Sequence, residues 1–220
     1  MPAAWGRSRT GAPAIHERHP HADRRAVRSA AYRRHLLAAT GRPYDTLEGV
    51  IGIGDAGKGC GTLREFGVNY DECPLLPDFT PDYDLIAEKA RTATVVHIQR
   101  SRGYTQRNAF DLATIQKVAD TARKANPNAV IFVDNCYGEF TQTAEPVAFG
   151  ADIMAGSFIK NPGGGITPTG GYIAGRKDLV EKCSHRFTAP GIGGDWAARR
   201  TACGIPSSAS TTRRASSARR

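Results

Sequence analysis

The sequence predicts an α/β protein: a mostly parallel sheet with helices on both faces. Two observations carry this. VVHI (95–98) and VIFV (130–133) are continuous apolar runs of strand length, which suit strands buried on both sides. Between such runs lie segments with the three-and-four spacing of amphipathic helices, long enough to cross over a parallel sheet.

The elements follow in order. HLLAAT (35–40) reads as a short strand ending at Gly41-Arg42-Pro43, and Pro43 opens a helical segment, YDTLEGVIG. A glycine-rich loop, GIGDAGKGCG, leads to VNYDECPL as a strand, then to PDYDLIAEKA as a helix with Pro and Asp near its start. TATVVHIQ (92–99) is a β-branched strand. In DLATIQKVADTARKANP, the apolar residues Leu112, Ile115, Val118, Ala119 and Ala122 mark one helical face, capped by Asp111 and stopped near Pro127. AVIFVD, ADIMAGSF and GGYIAGR complete the strands, and KDLVEKCSHRF is a last helix.

Charge divides the 220 residues into three. Residues 1–35 hold eight Arg against Glu17 and Asp23, residues 199–220 hold six Arg and no acid, and all seven Lys lie between. The segment 36–198 is therefore mildly acidic within a chain of net charge +9, so the basicity belongs to the ends and no nucleic-acid partner is expected. The organisation expected is a basic, disordered segment over 1–35, one domain over 36–196, and an Arg/Ser-rich disordered tail over 197–220. No run is long enough for a membrane span and no apolar signal-peptide core is present, which gives a cytoplasmic expectation. Five cysteines without regular spacing suggest neither a disulfide framework nor a metal site.

The residues that carry chemistry leave strand ends. Asp134 follows the IFV core, and Lys160 ends the apolar run ADIMAGSFIK before NPGGG. In a parallel sheet, ligands bind beyond the carboxyl ends of the strands, so Gln99 to Arg102, Asp134-Asn135 and Ser157 to Lys160 should converge on one rim. An amine and an acid on neighbouring strands are what pyridoxal phosphate requires: a lysine for the Schiff base and a carboxylate for the pyridine nitrogen. Ser157 is a candidate contact for the cofactor phosphate. Arg100, Arg102, Tyr104 and Arg107 are candidates for binding substrate, arginine offering a two-pronged donor to a substrate carboxylate or a phosphate.

Two phosphate-loop patterns are set aside. Gly52, Gly54 and Gly57 spell GxGxxG, and Gly52 to Lys58 spell GxxxxGK, but the first follows a helical segment with no helix beginning at it, and in the second Gly59 stands where a Ser or Thr belongs. A nucleotide-binding module built on 52–58 is the remote alternative.

SRGYTQR (101–107), FVDNCYGEF (132–140), EPVAFGADIMAGSFIKNPGGGITPTGGYIAGRKDLVE (145–181) and TAPGIGG (188–194) closely resemble the bacterial methionine gamma-lyase-like family, also called aluminium resistance proteins. RPYDTLEGVIG and REFGVNY fit it too. The resemblance implies part of the large domain of a fold type I pyridoxal phosphate enzyme of lyase type, acting on an amino acid such as a sulfur-containing one. It implies Lys160 as the Schiff-base lysine, Asp134 as the pyridine partner, Ser157 as a phosphate contact, and a homo-oligomer with sites at subunit interfaces. Family members also carry an N-terminal phosphate-binding loop and a C-terminal domain, neither of which is matched here. The expectation is therefore an enzyme truncated at both ends and impaired by it, with a catalytically inactive fragment as the alternative.

Overall fold

The computed structural model describes residues 34–187, and the basic segments expected to be disordered lie outside them but for Arg34 and His35. Six strands form one sheet in the order β2-β1-β3-β4-β5-β6: β1 (His35–Ala38), β2 (Asn69–Glu72), β3 (Val95–Gln99), β4 (Val130–Asp134), β5 (Ile153–Ser157) and β6 (Gly171–Gly175). The first five run parallel, whereas β6 pairs antiparallel to β5. The helices are α1 (Asp45–Ile51), α2 (Tyr83–Ala90), α3 (Leu112–Ala125) and α4 (Lys177–Phe187).

Local chemistry sets the helix boundaries. Asp82 and Asp111 accept from the backbone N–H groups of Leu85 and Thr114, at 3.0 and 2.8 Å, and so cap α2 and α3. Helix α1 stops at Gly52, whose φ of 88° is left-handed. Asn126, just past α3, donates to the carbonyl oxygens of Ala90 and Ala93 and ties the ends of α2 and α3 together.

One face of the sheet presents Leu37, Val96, Ile98, Ile131, Val133 and Met154, and α2 and α3 pack on it through Ile86, Leu112, Ile115 and Val118. Burying the three large apolar side chains of α3 contributes roughly 5–9 kcal/mol before entropy is counted. The register places Ala38, His97, Phe132 and Ile153 on the opposite face. Of these Ala38, His97 and Ile153 are also buried, so the centre of the sheet is withdrawn from solvent on both sides.

The expected strand 68–75 shortens to Asn69–Glu72, because Pro74 and Pro77 cannot donate to a ladder. At the amino-terminal rim, the buried Asp152 accepts from the Ile131 N–H at 2.8 Å and pairs with Arg123 and Arg176. Among the described residues, no helix is long and apolar enough to cross a membrane.

Candidate active site

The carboxyl ends of β3, β4 and β5 deliver Gln99, Asp134 and Ser157 to one rim. Lys160 stands three residues past β5, in the turn that opens the 3-10 segment Asn161–Gly163. A cavity of about 520 Å3 lies on this rim, and its walls include Tyr44, Arg102, Tyr104, Cys136, Tyr137 and Lys160.

Asp134 sits just behind that wall, 8% exposed, with Oδ1 accepting from the Cys136 N–H at 3.0 Å. Burial pushes the Tyr44 phenol up to about 12 and the Cys136 thiol up to about 11, and the Asp134 carboxylate adds to both. Both groups therefore stay protonated at neutral pH and face the acid as neutral neighbours.

Lys160 is part-buried, with Nζ 4.6 Å from the centroid of the Tyr137 ring. Burial opposes its charge, but the neighbouring Cys136 thiol and the Asp134 carboxylate more than offset this, and the amine titrates above its ordinary value. The acid and the amine thus share one rim and feel each other's charge across the cavity wall.

A buried polar bracket holds the loop between them. Asn135 is fully buried; it donates to Glu145 Oε2 at 2.8 Å and to the Tyr172 hydroxyl at 3.0 Å, and accepts from Arg100 Nη1 at 2.7 Å. Tyr172 in turn donates to Glu139 Oε1 at 3.0 Å. Asn161 donates to the Glu139 carbonyl at 3.1 Å, which fastens the Lys160 turn to the Asp134 loop.

The geometry separates the four substrate-binding candidates into two enclosed by the chain and two on the cavity wall. Arg100 is 3% exposed and directs its guanidinium to Asn135, Thr141, Gln142 and the Phe110 carbonyl. Arg107, also 3% exposed, donates to the carbonyl oxygens of Gln99, Ser101 and Asn108 and lies 4.1 Å over the Phe110 ring. Burial lowers its pKa to about 10, so it remains charged within a cage of carbonyls. Neither lines the cavity, whereas Arg102 and Tyr104 do.

Ser157 keeps its place at the end of β5, but its hydroxyl donates to the Gly170 carbonyl at 3.4 Å and it is not among the cavity-lining residues. Tyr44 and Tyr137 escaped sequence reasoning. Tyr44 is distant in sequence from the other candidates, and both it, in RPYDTLEGVIG, and Tyr137, in NCYGEF, stood in family-like blocks without a role.

The glycine-rich loop is already occupied from within. The Glu65 carboxylate accepts from the backbone N–H groups of Gly59, Gly61 and Thr62 at 2.6, 2.8 and 3.1 Å, which holds its pKa below the ordinary carboxylate value. Within 52–58 itself, the N–H groups of Gly52, Ile53, Ala56 and Lys58 donate to backbone carbonyls of the same turn region, so few amides there are left to cradle a phosphate, against the nucleotide alternative. Among the described residues, no group of three or more His, Cys, Asp or Glu is arranged to hold a metal ion.

A mostly parallel sheet with an acid ending one strand, a lysine just beyond the next and a cavity between is the arrangement of the fold type I pyridoxal phosphate enzymes. Residues 27–202 match the family described as methionine gamma-lyase, and the chain belongs to that family. It is 46% identical over 159 residues to the uncharacterized protein YnbB of Bacillus subtilis, covering 72% of this chain and 38% of that one. It resembles the crystal structure of a Listeria monocytogenes protein provisionally named a cystathionine beta-lyase involved in aluminum resistance. The TM-score is 0.70 at 47% identity, over 74% of this chain and 41% of that one. A PLP-dependent aminotransferase from Streptococcus suis shares the fold alone: TM-score 0.51 at 14% identity, over 73% of this chain and 41% of that one. The chain thus spans about two fifths of the length of these relatives.

Proposed function

We propose that the protein acts as a pyridoxal phosphate-dependent lyase-type enzyme on an amino acid, with sulfur-containing amino acids and their carbon–sulfur bond as the substrate class. The reading is supported chiefly by one observation: Lys160 lines a hollow of about 520 Å3 whose wall is backed by Asp134. That volume suits a small cofactor with an amino acid beside it. Bound there, the cofactor would supply an electron sink for the carbon next to the substrate's amine.

The chain's own groups take the remaining roles. Asp134, fixed through Oδ1 by the Cys136 N–H, presents a poorly hydrated carboxylate suited to keeping a proton on a pyridine nitrogen. Lys160 Nζ is the covalent anchor and, once freed by an incoming substrate amine, the base that takes or returns a proton at the substrate carbon. Arg102, on the wall with Lys160, offers a guanidinium fork to the substrate carboxylate. A phosphate contact from Ser157, whose hydroxyl would have to turn from the Gly170 carbonyl, and a second copy of the chain in a homo-oligomer belong to the proposal, as does a cytoplasmic location.

The test is incubation with pyridoxal phosphate, then borohydride, then peptide mass spectrometry. The expected result is a visible absorbance band and a reduced adduct on Lys160 that Lys160→Ala abolishes. A folded protein that gives no adduct, or one modified equally at every lysine, overturns the proposal.

A further inference from the structure

We infer that Tyr137 is a positioning residue for Lys160, held in an unfavourable backbone conformation so that its aromatic face lies against the amine. Tyr137 has φ of 66°, in the left-handed region that bulky L-residues avoid. The residue is 61% exposed, so core burial does not account for a tyrosine there. What the ring does contact is Lys160, whose Nζ lies 4.6 Å from its centroid, and both residues line the cavity.

The surroundings impose the conformation. The Gly138 N–H donates to the Asn135 carbonyl at 2.8 Å, closing a tight turn around Tyr137. A Cβ at Gly138 would come within 2.5 Å of Arg100 Cδ, so the backbone there rests on the buried arginine. Asn135, on the other side of Cys136, is locked by Arg100, Glu145 and Tyr172. Left-handed φ also occurs at Phe79 and Phe140, and what distinguishes Tyr137 is that its ring meets the Lys160 amine at the cavity, the kind of place where over-determined strain collects. The aromatic face confines a four-carbon stem that would otherwise sample many rotamers, and it favours the ammonium form by cation–π attraction. Four consecutive residues thereby address both sides of the site: the Cys136 N–H fixes Asp134, and the Tyr137 ring confines Lys160.

The inference rests on the proposed role of Lys160, and its test does not need the cofactor. Lysines are reductively methylated with 13C-formaldehyde, the Lys160 signal is assigned by its loss in Lys160→Arg, and its titration is followed by NMR in wild type, Tyr137→Phe, Tyr137→Leu and Tyr137→Gly. Tyr137→Phe should keep the wild-type midpoint. Tyr137→Leu and Tyr137→Gly should lower it by about half a pH unit, as a partly exposed ring–ammonium contact supports. Tyr137→Gly should melt no lower than wild type, because glycine relieves the left-handed strain. An unchanged midpoint in Tyr137→Leu, or a Tyr137→Gly protein that melts several degrees lower with its midpoint intact, overturns the inference. A shifted midpoint in a protein that forms no pyridoxal phosphate adduct upholds the positioning role while removing the cofactor assignment.

Discussion

Replacing Arg100 by Met separates a structural arginine from a ligand-facing one. The guanidinium is 3% exposed; it donates to Asn135 Oδ1 at 2.7 Å, Gln142 Oε1 at 2.8 Å and Thr141 Oγ1 at 3.2 Å, and lies 3.6 Å from Glu145. Methionine fills much of the space but leaves the fully buried Asn135 oxygen without a donor, at about 1–3 kcal/mol. It also removes charge-assisted hydrogen bonds to Gln142 and Thr141. Glu145 is 30% exposed on its side chain and recovers water, so its lost pairing adds little. The sum is about 3–5 kcal/mol, the range for breaking a buried polar bracket, and on the order of 10 °C in Tm for a domain of this size. Urea unfolding followed by circular dichroism measures it. Arg102→Met, on the cavity wall, should change stability by less than about 0.5 kcal/mol while weakening binding of a carboxylate substrate analogue. An Arg100→Met protein within about 1 kcal/mol of wild type would refute the reasoning, because the bracket would then not depend on its central cation.

Two further outcomes follow from the same geometry. His97 is buried beside Phe132 with Nε2 unpartnered, and burial lowers its pKa to about 4. The unfolded chain, titrating near pH 6.5, binds the proton first, so stability should fall as pH drops from about 6.5 to 4, by up to a few kcal/mol. His97→Asn should flatten that part of the profile in urea titrations at stepped pH, and an unaltered slope would exclude His97 as its source. In Gly163→Ala, the new Cβ would meet the Phe158 carbonyl oxygen at 1.7 Å, so the turn carrying Lys160 must move. Capture of pyridoxal phosphate at Lys160 should slow at least about tenfold with little change in far-UV circular dichroism, and wild-type capture kinetics would show that the turn tolerates displacement.

Much of the architecture is legible along the chain because its signals are local. VVHI and VIFV are continuous apolar runs that only a sheet buried on both sides accommodates. Asp82 and Asp111 stand one residue before the helices they cap. The shared rim of Asp134 and Lys160 follows from parallel strands, since successive strand ends must then emerge on one side. The roles of neighbouring arginines are a different matter. Arg100 and Arg102 are two positions apart and chemically identical, yet one is enclosed by a loop more than thirty residues later and the other lines the cavity.

The class of fold, the order of its elements and the shared rim of acid and amine are written along the chain, because periodicity and capping act over a few residues. Which arginine faces the cavity, where Tyr44 and Tyr137 stand, and that Glu65 bonds the amides at the end of the glycine-rich loop emerge from contacts between distant segments. Those outcomes depend on which distant groups reach a donor or acceptor first, and burial leaves few alternatives once one has done so.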